Sequence, residues 1–134
     1  MNLAQKIFAL KKIPPFTELR DAELGLVVKV VRERRFSPGR IVANAGSSLS
    51  SLYVVLEGFF ELEDGRVLLP IIGMSSLLFD YSLTQNLLSG KSGALCLTIN
   101  KGHFYTLIHE CPSFAAGLMK LLHEEDFCAP MAEN

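Results

Sequence analysis

Apolar positions change period along this chain, and each change marks an element. Leu3, Ile7 and Leu10 recur at three- and four-residue spacing and predict a helix over Leu3 to Lys12. Ile13-Pro14-Pro15-Phe16 breaks it, because proline lacks the amide donor and restricts the residue before it. Asp21 is placed to cap a second helix over Ala22 to Val30. From Val30 to Phe36 the pattern alternates and reads as a first strand. Pro38-Gly39 is a turn signal, Ile41-Val42 a short strand, and Leu52-Tyr53-Val54-Val55-Leu56 an apolar, β-branched strand closed by a corner at Gly58.

Two further strands flank Asp64-Gly65, a strong hairpin signal: Phe59 to Glu63 and Arg66 to Ile72. Phe60 and Leu62 are expected inside and Glu61 and Glu63 outside, while Pro70 marks an edge or a strand end. The turn Ser89-Gly90-Lys91-Ser92-Gly93 precedes a strand over Ala94 to Ile99. Asn100 is the expected N-cap of a helix through Ile108, and Pro112 opens a last helix with Phe114, Leu118, Leu121 and Leu122 as its apolar stripe. Ala129 to Asn134 reads as a frayed tail.

Composition narrows the function classes. The 134 residues suit one domain with a real core, and 49% hydrophobic content excludes global disorder. A formal net charge of −1 argues against a nucleic-acid binder. The only basic cluster, Arg32, Arg34, Arg35 and Arg40, reads as a solvated strand face. No apolar run approaches the roughly 20 residues of a membrane span, and the N-terminus lacks a signal-peptide layout. Cys96, Cys111 and Cys128 form no C-x-x-C pair; free thiols in a reducing cytoplasm are the simplest account.

The segment Pro38-Gly39, Ile41-Val42, Gly46, a small-polar loop, then Leu52-Tyr53-Val54-Val55 and Gly58 resembles the cyclic-nucleotide-binding domain family. That is the sensor fold of catabolite activator protein and protein kinase A regulatory subunits. The opening helix, Ile-Pro-x-Phe and capped helix resemble the family's start, and Phe104, Leu107, Pro112 and the terminal helix its close. The resemblance runs from Ile13 to about Glu125. It implies a mainly β fold, an antiparallel jelly-roll-like β-roll with helices at both ends. The expected division is 1–31 helices, 32–99 β-roll, 100–127 helices and 128–134 tail, all one domain.

The resemblance also implies where a ligand would sit. In the family a phosphate-binding cassette follows the strand that here ends near Ile72. Its Glu accepts from the ribose 2′-hydroxyl, its Arg meets the cyclic phosphate, and N–H groups of a short helix assist. Here the segment reads Gly73-Met74-Ser75-Ser76-Leu77-Leu78-Phe79-Asp80-Tyr81-Ser82-Leu83-Thr84, and no Glu or Arg occurs from Gly73 to Ile99. A lost charge-assisted partner costs about 1.5–3 kcal/mol, and a micromolar binder weakened by about 4 kcal/mol falls near millimolar. Lys91 is the cation nearby and is expected to face solvent.

The expectation is therefore a degenerate cassette. Gly73, Ser75, Ser76, Ser82 and Thr84 are the ligand-pocket candidates, with two readings: local turn caps, or an unconventional pocket for cyclic AMP, cyclic GMP or a related ligand. Leu77, Leu78, Phe79 and Leu83 either line such a pocket or fill the old cavity; the filled, solid roll is preferred. Phe114, Leu118 and Leu121 are the candidates for contact with a protein partner or a second copy in a homodimer. No cofactor is implied. His103, His109, His123, Cys111 and Cys128 have no zinc-like spacing, no catalytic motif occurs, and the histidine-free strands argue against a cupin-like enzyme. The function expected is a non-catalytic regulatory module that acts by protein contact.

Overall fold

A computed structural model describes residues 1–130 of the chain. Helix α1 (Leu3–Leu10) is closed at its start by a reciprocal cap, the Asn2 side chain accepting from the Gln5 N–H and the Gln5 side chain from the Asn2 N–H. Helix α2 runs Asp21–Val28. Asp21 lies inside its first turn and is not the N-cap; Arg20 holds that place, and Glu23 accepts from the Arg20 N–H at 3.1 Å.

Strands β1 (Arg32–Phe36), β2 (Ile41–Ala43), β3 (Ser51–Leu62), β4 (Ile71–Ile72) and β6 (Leu87–Asn100) form an open, five-stranded antiparallel sheet. Its order is β1-β6-β3-β4, with β2 also on β6. The two long strands pair with each other from Ser51↔Asn100 to Leu62↔Leu87 and carry the roll.

Three sequence expectations change here. Gly58 does not end a strand. It lies within β3, at a register irregularity opposite Ala94. Ser89–Gly93 is likewise part of continuous β6 and not a turn, and Lys91 in it is exposed. The two corners are bulges that bend both strands together. A Cβ on Gly58, whose φ is 72°, would lie 2.1 Å from the Gly93 carbonyl oxygen, so the strands cross too closely there for any side chain. The return arm after Asp64-Gly65 is also shorter than expected. Only a Glu61↔Val67 bridge and the two-residue β4 pair with β3. Pro70 ends the gap, its carbonyl accepting from the Val55 N–H.

Two cores follow from the period-2 alternation of β3 and β6. Leu52, Val54, Leu97 and Ile99 face the helices and pack with Phe16, Leu24, Val27, Phe104, Phe114 and Leu118. Tyr53, Val55, Phe60, Leu62, Ala94 and Cys96 face the roll interior with Phe36, Leu83 and Leu87. Both faces are covered, which is why the strand reads as a continuous apolar run.

The closing helices are α4 (Lys101–Glu110) and α5 (Pro112–Met119). The Asn100 side chain accepts from the His103 N–H at 2.8 Å, the cap that the sequence predicts, and Pro112 sits in the first turn of α5. Helix α5 stops at Met119, earlier than its apolar stripe suggests, and gives way to a 3-10 turn over Leu122–Glu124. The first residues of the expected tail are ordered into a strand. Cys128–Ala129 form strand β7 against β5 (Ser82–Leu83), a two-stranded sheet of its own. The rest of the expected tail, 131–134, lies outside the described residues.

Candidate functional site

The site is built on the short helix α3 (Met74–Phe79), which follows β4 directly. Gly73 enters it with φ 119°, and a Cβ there would come 2.6 Å from the Ser51 carbonyl oxygen. Only glycine fits, and it turns the first N–H groups of α3 to one side.

Those N–H groups converge on a carboxylate. Glu125 Oε2 accepts from the Gly73 N–H at 3.0 Å and the Met74 N–H at 3.1 Å. Its Oε1 accepts from the Ser75 N–H at 2.9 Å and the Ser75 hydroxyl at 2.7 Å. The Glu125 residue is 6% exposed. Four donors on one buried carboxylate form a complete anion cradle, filled by the chain itself.

The segment that brings Glu125 in is anchored on both sides. Phe127 is buried in the roll core, and its carbonyl accepts from the Thr84 N–H and the Thr84 hydroxyl, both at 2.9 Å. Leu83 pairs with Cys128 and Ser82 with Ala129. Exposed Asp126 meets Arg66 at 2.5 Å. The Cys128 thiol lies beside the Ser75 and Ser76 hydroxyls; burial pushes its pKa up and the Glu125 charge adds to that, against the two hydroxyls.

The five pocket candidates therefore divide. Gly73 and Ser75 hold Glu125, and Thr84 holds the Phe127 carbonyl. Ser76 donates to the Tyr81 carbonyl at 2.8 Å and closes the end of its own helix. Ser82 Oγ is buried without a partner among the described residues. Of the four apolar residues expected to fill the cavity, Leu77 and Leu83 are buried in the two cores and Leu78 is half-buried, but Phe79 is 51% exposed and fills nothing. Phe127 takes part in that filling instead, and neither it nor Glu125 stands out in the sequence. The Glu124-Glu125-Asp126 run looks like the wet side of a helix.

The expected contact stripe faces mainly inward. Phe114 and Leu118 are buried, Phe114 ring to ring with Phe16 at 5.2 Å, and Leu121 is half-buried against the same core. Phe114 and Leu118 cover the chain's own sheet, and Leu121 keeps part of its surface in water. His103, His109 and His123 are exposed, whereas Cys111 and Cys128 are buried. A groove of about 960 Å³ lies away from the cradle, lined by Phe8, Lys12, Ile13, Arg35 and Leu56 among others. Among the described residues no helix is long and apolar enough to cross a membrane.

No protein-family model matches the chain, and no curated protein matches it in sequence. Solved structures do match. The regulatory subunit of a cAMP-independent protein kinase A from Trypanosoma brucei superposes with a TM-score of 0.74 at 18% identity, over 90% of this chain and 46% of that one. Catabolite activator protein from Thermus thermophilus gives 0.71 at 22% identity, over 84% and 58%. The chain has the cyclic-nucleotide-binding domain-like fold. A third structure with this fold, the corresponding Trypanosoma cruzi subunit bound to guanosine, gives 0.68 at 17% identity, over 96% and 52%. A triple mutant of the T. brucei subunit carries cAMP in its A site. The present chain spans about half the length of these structures.

Proposed function

We propose that this domain is a non-catalytic regulatory module that does not bind cyclic nucleotide in the usual way and acts through protein contacts. The observation that carries the reading is the Glu125 carboxylate on the Gly73, Met74 and Ser75 donors. In the fold's ligand-binding members, the resemblance puts the ligand phosphate near the short helix after this strand. Here that helix already spends its free N–H groups on an anion, and the segment supplies no Glu or Arg for a ribose or a phosphate.

The similar structures support a regulatory role, since they are kinase regulatory subunits and a transcription activator. With Phe114 and Leu118 engaged internally, contact with a partner falls to apolar side chains left in water. Leu3 and Phe8 of α1 and Met119 at the end of α5 are each more than half exposed. A cytoplasmic setting fits three free cysteines.

Calorimetric titration of the purified protein with cyclic AMP and cyclic GMP tests the reading. No heat of binding is expected up to millimolar ligand. Micromolar binding would overturn it and favour a true small-molecule sensor.

A further inference from the structure

The segment that fills the cradle is attached differently from the rest of the roll. It follows a 3-10 turn, pairs among the described residues through Cys128 and Ala129 alone, and belongs to a two-stranded sheet separate from the main one. None of the five strands of the main sheet uses it as a ladder partner. Its anchors are local: one carboxylate, one aromatic ring, the Thr84 contacts and the exposed Arg66–Asp126 pair. Beneath it Ser82 Oγ has no partner among the described residues, so the closed arrangement leaves one buried polar group unsatisfied there.

We propose that Glu125–Ala129 is an autoinhibitory strap, a self-contained occupant of the cradle that detaches as a unit while the five-stranded sheet stays folded. Closed, it satisfies the first N–H groups of α3 and seals the roll with Phe127. Open, it hands those donors to water and exposes the roll mouth between β5 and α3. Any external occupant and the strap exclude each other, because both need the same donors. The regulatory consequence rests on the function proposed above. The opening itself does not, and it is measured without ligand or partner.

The three cysteines provide the readout. Cys128 is in the strap, whereas Cys96 lies in β6 and Cys111 between α4 and α5, both fully buried. If reagent reached all three thiols only by global unfolding, they would be labelled at one common rate. The experiment pulses the full chain with N-ethylmaleimide under native conditions and reads each cysteine by mass spectrometry. Strap opening predicts that Cys128 reacts at least about tenfold faster than Cys96 and Cys111. Phe127→Ala should raise the Cys128 rate by about tenfold or more and leave Cys128 the fastest of the three. Thr84→Val, which removes a single hydroxyl from the strap's contacts, should move it the same way by less. Equal rates for the three thiols in the wild-type chain would overturn the proposal, and that comparison stands even where Phe127→Ala fails to fold. A silent cyclic-nucleotide titration beside equal rates would leave the proposed function in place and remove the strap alone.

Discussion

Replacing Glu125 by alanine removes the acceptor for four donors at 2.7 to 3.1 Å. A hydrogen bond to a charged group is worth about 1.5–3 kcal/mol, and a buried donor left unpaired costs a similar amount. Four such terms do not add, because the chain has a way out. Release of the strap lets water reach Gly73, Met74 and Ser75. Its cost is mainly the exposure of Phe127, about 1.5–3 kcal/mol, and two or three pairing bonds at about 0.5–1.5 kcal/mol each. The ceiling is therefore about 2.5–7.5 kcal/mol, and Glu125→Ala should fall in the lower half of that range, near 3 kcal/mol. Phe127→Ala strikes the other anchor and meets the same ceiling. The double variant should then cost little more than either single one. Urea unfolding, with midpoints compared at a common slope, measures all four corners of the cycle. Glu125→Gln should be nearly as costly as alanine, since one amide oxygen replaces two and the NH₂ group faces donors. Additivity of the two alanine variants within about 0.5 kcal/mol, or a Glu125→Ala effect below about 0.5 kcal/mol, would refute the reasoning.

Three other outcomes follow from the frame around the site. Gly58→Ala puts a Cβ 2.1 Å from the Gly93 carbonyl oxygen at a φ of 72°, so a loss of about 3 kcal/mol or more in thermal or urea unfolding is expected, and a loss under about 1 kcal/mol would contradict the close crossing of β3 and β6. Asn100→Ala removes the cap of α4 and should cost about 1 kcal/mol in the same assay, with the far-ultraviolet circular dichroism otherwise unchanged. Glu23 has its pKa lowered from the ordinary 4.5, first by the Arg20 N–H, then by the Ser113 hydroxyl and the Arg20 side chain. A lowered folded-state value means that its contribution is fully present above 4.5 and is lost as the pH falls through the folded value. Glu23→Gln should accordingly flatten the acid side of the stability–pH curve, and an unchanged slope there would count against the Glu23 link between α2 and α5.

The scaffold was legible because its signals are local. Asn100, Pro112 and the Leu52–Leu56 run each act on their own neighbourhood, and each appears where the sequence puts it. Gly58 and Gly93 are visible as glycines but read as a strand end and a turn, since what they make room for lies on neighbouring strands: a Cβ on Gly58 would meet the Gly93 carbonyl, and one on Gly93 the Phe36 carbonyl. Helical spacing in α5 revealed an apolar stripe without saying what covers it, and the answer was the chain's own core around Phe16. The missing Glu and Arg of the cassette were plain in the sequence, but their replacement was not. Glu125 lies 50 residues beyond Ser75, in an acidic run that looks solvated, and only the tertiary fold brings the two together.

The chain's own carboxylate occupies the cradle. Two-dimensional ¹⁵N–¹H spectra of the full chain, titrated with cyclic AMP to millimolar, test it most directly. The Gly73, Met74 and Ser75 amide peaks should stay in place with ligand and shift together in Glu125→Ala without it. Movement of those three peaks at micromolar cyclic AMP, or their indifference to the loss of Glu125, would contradict it.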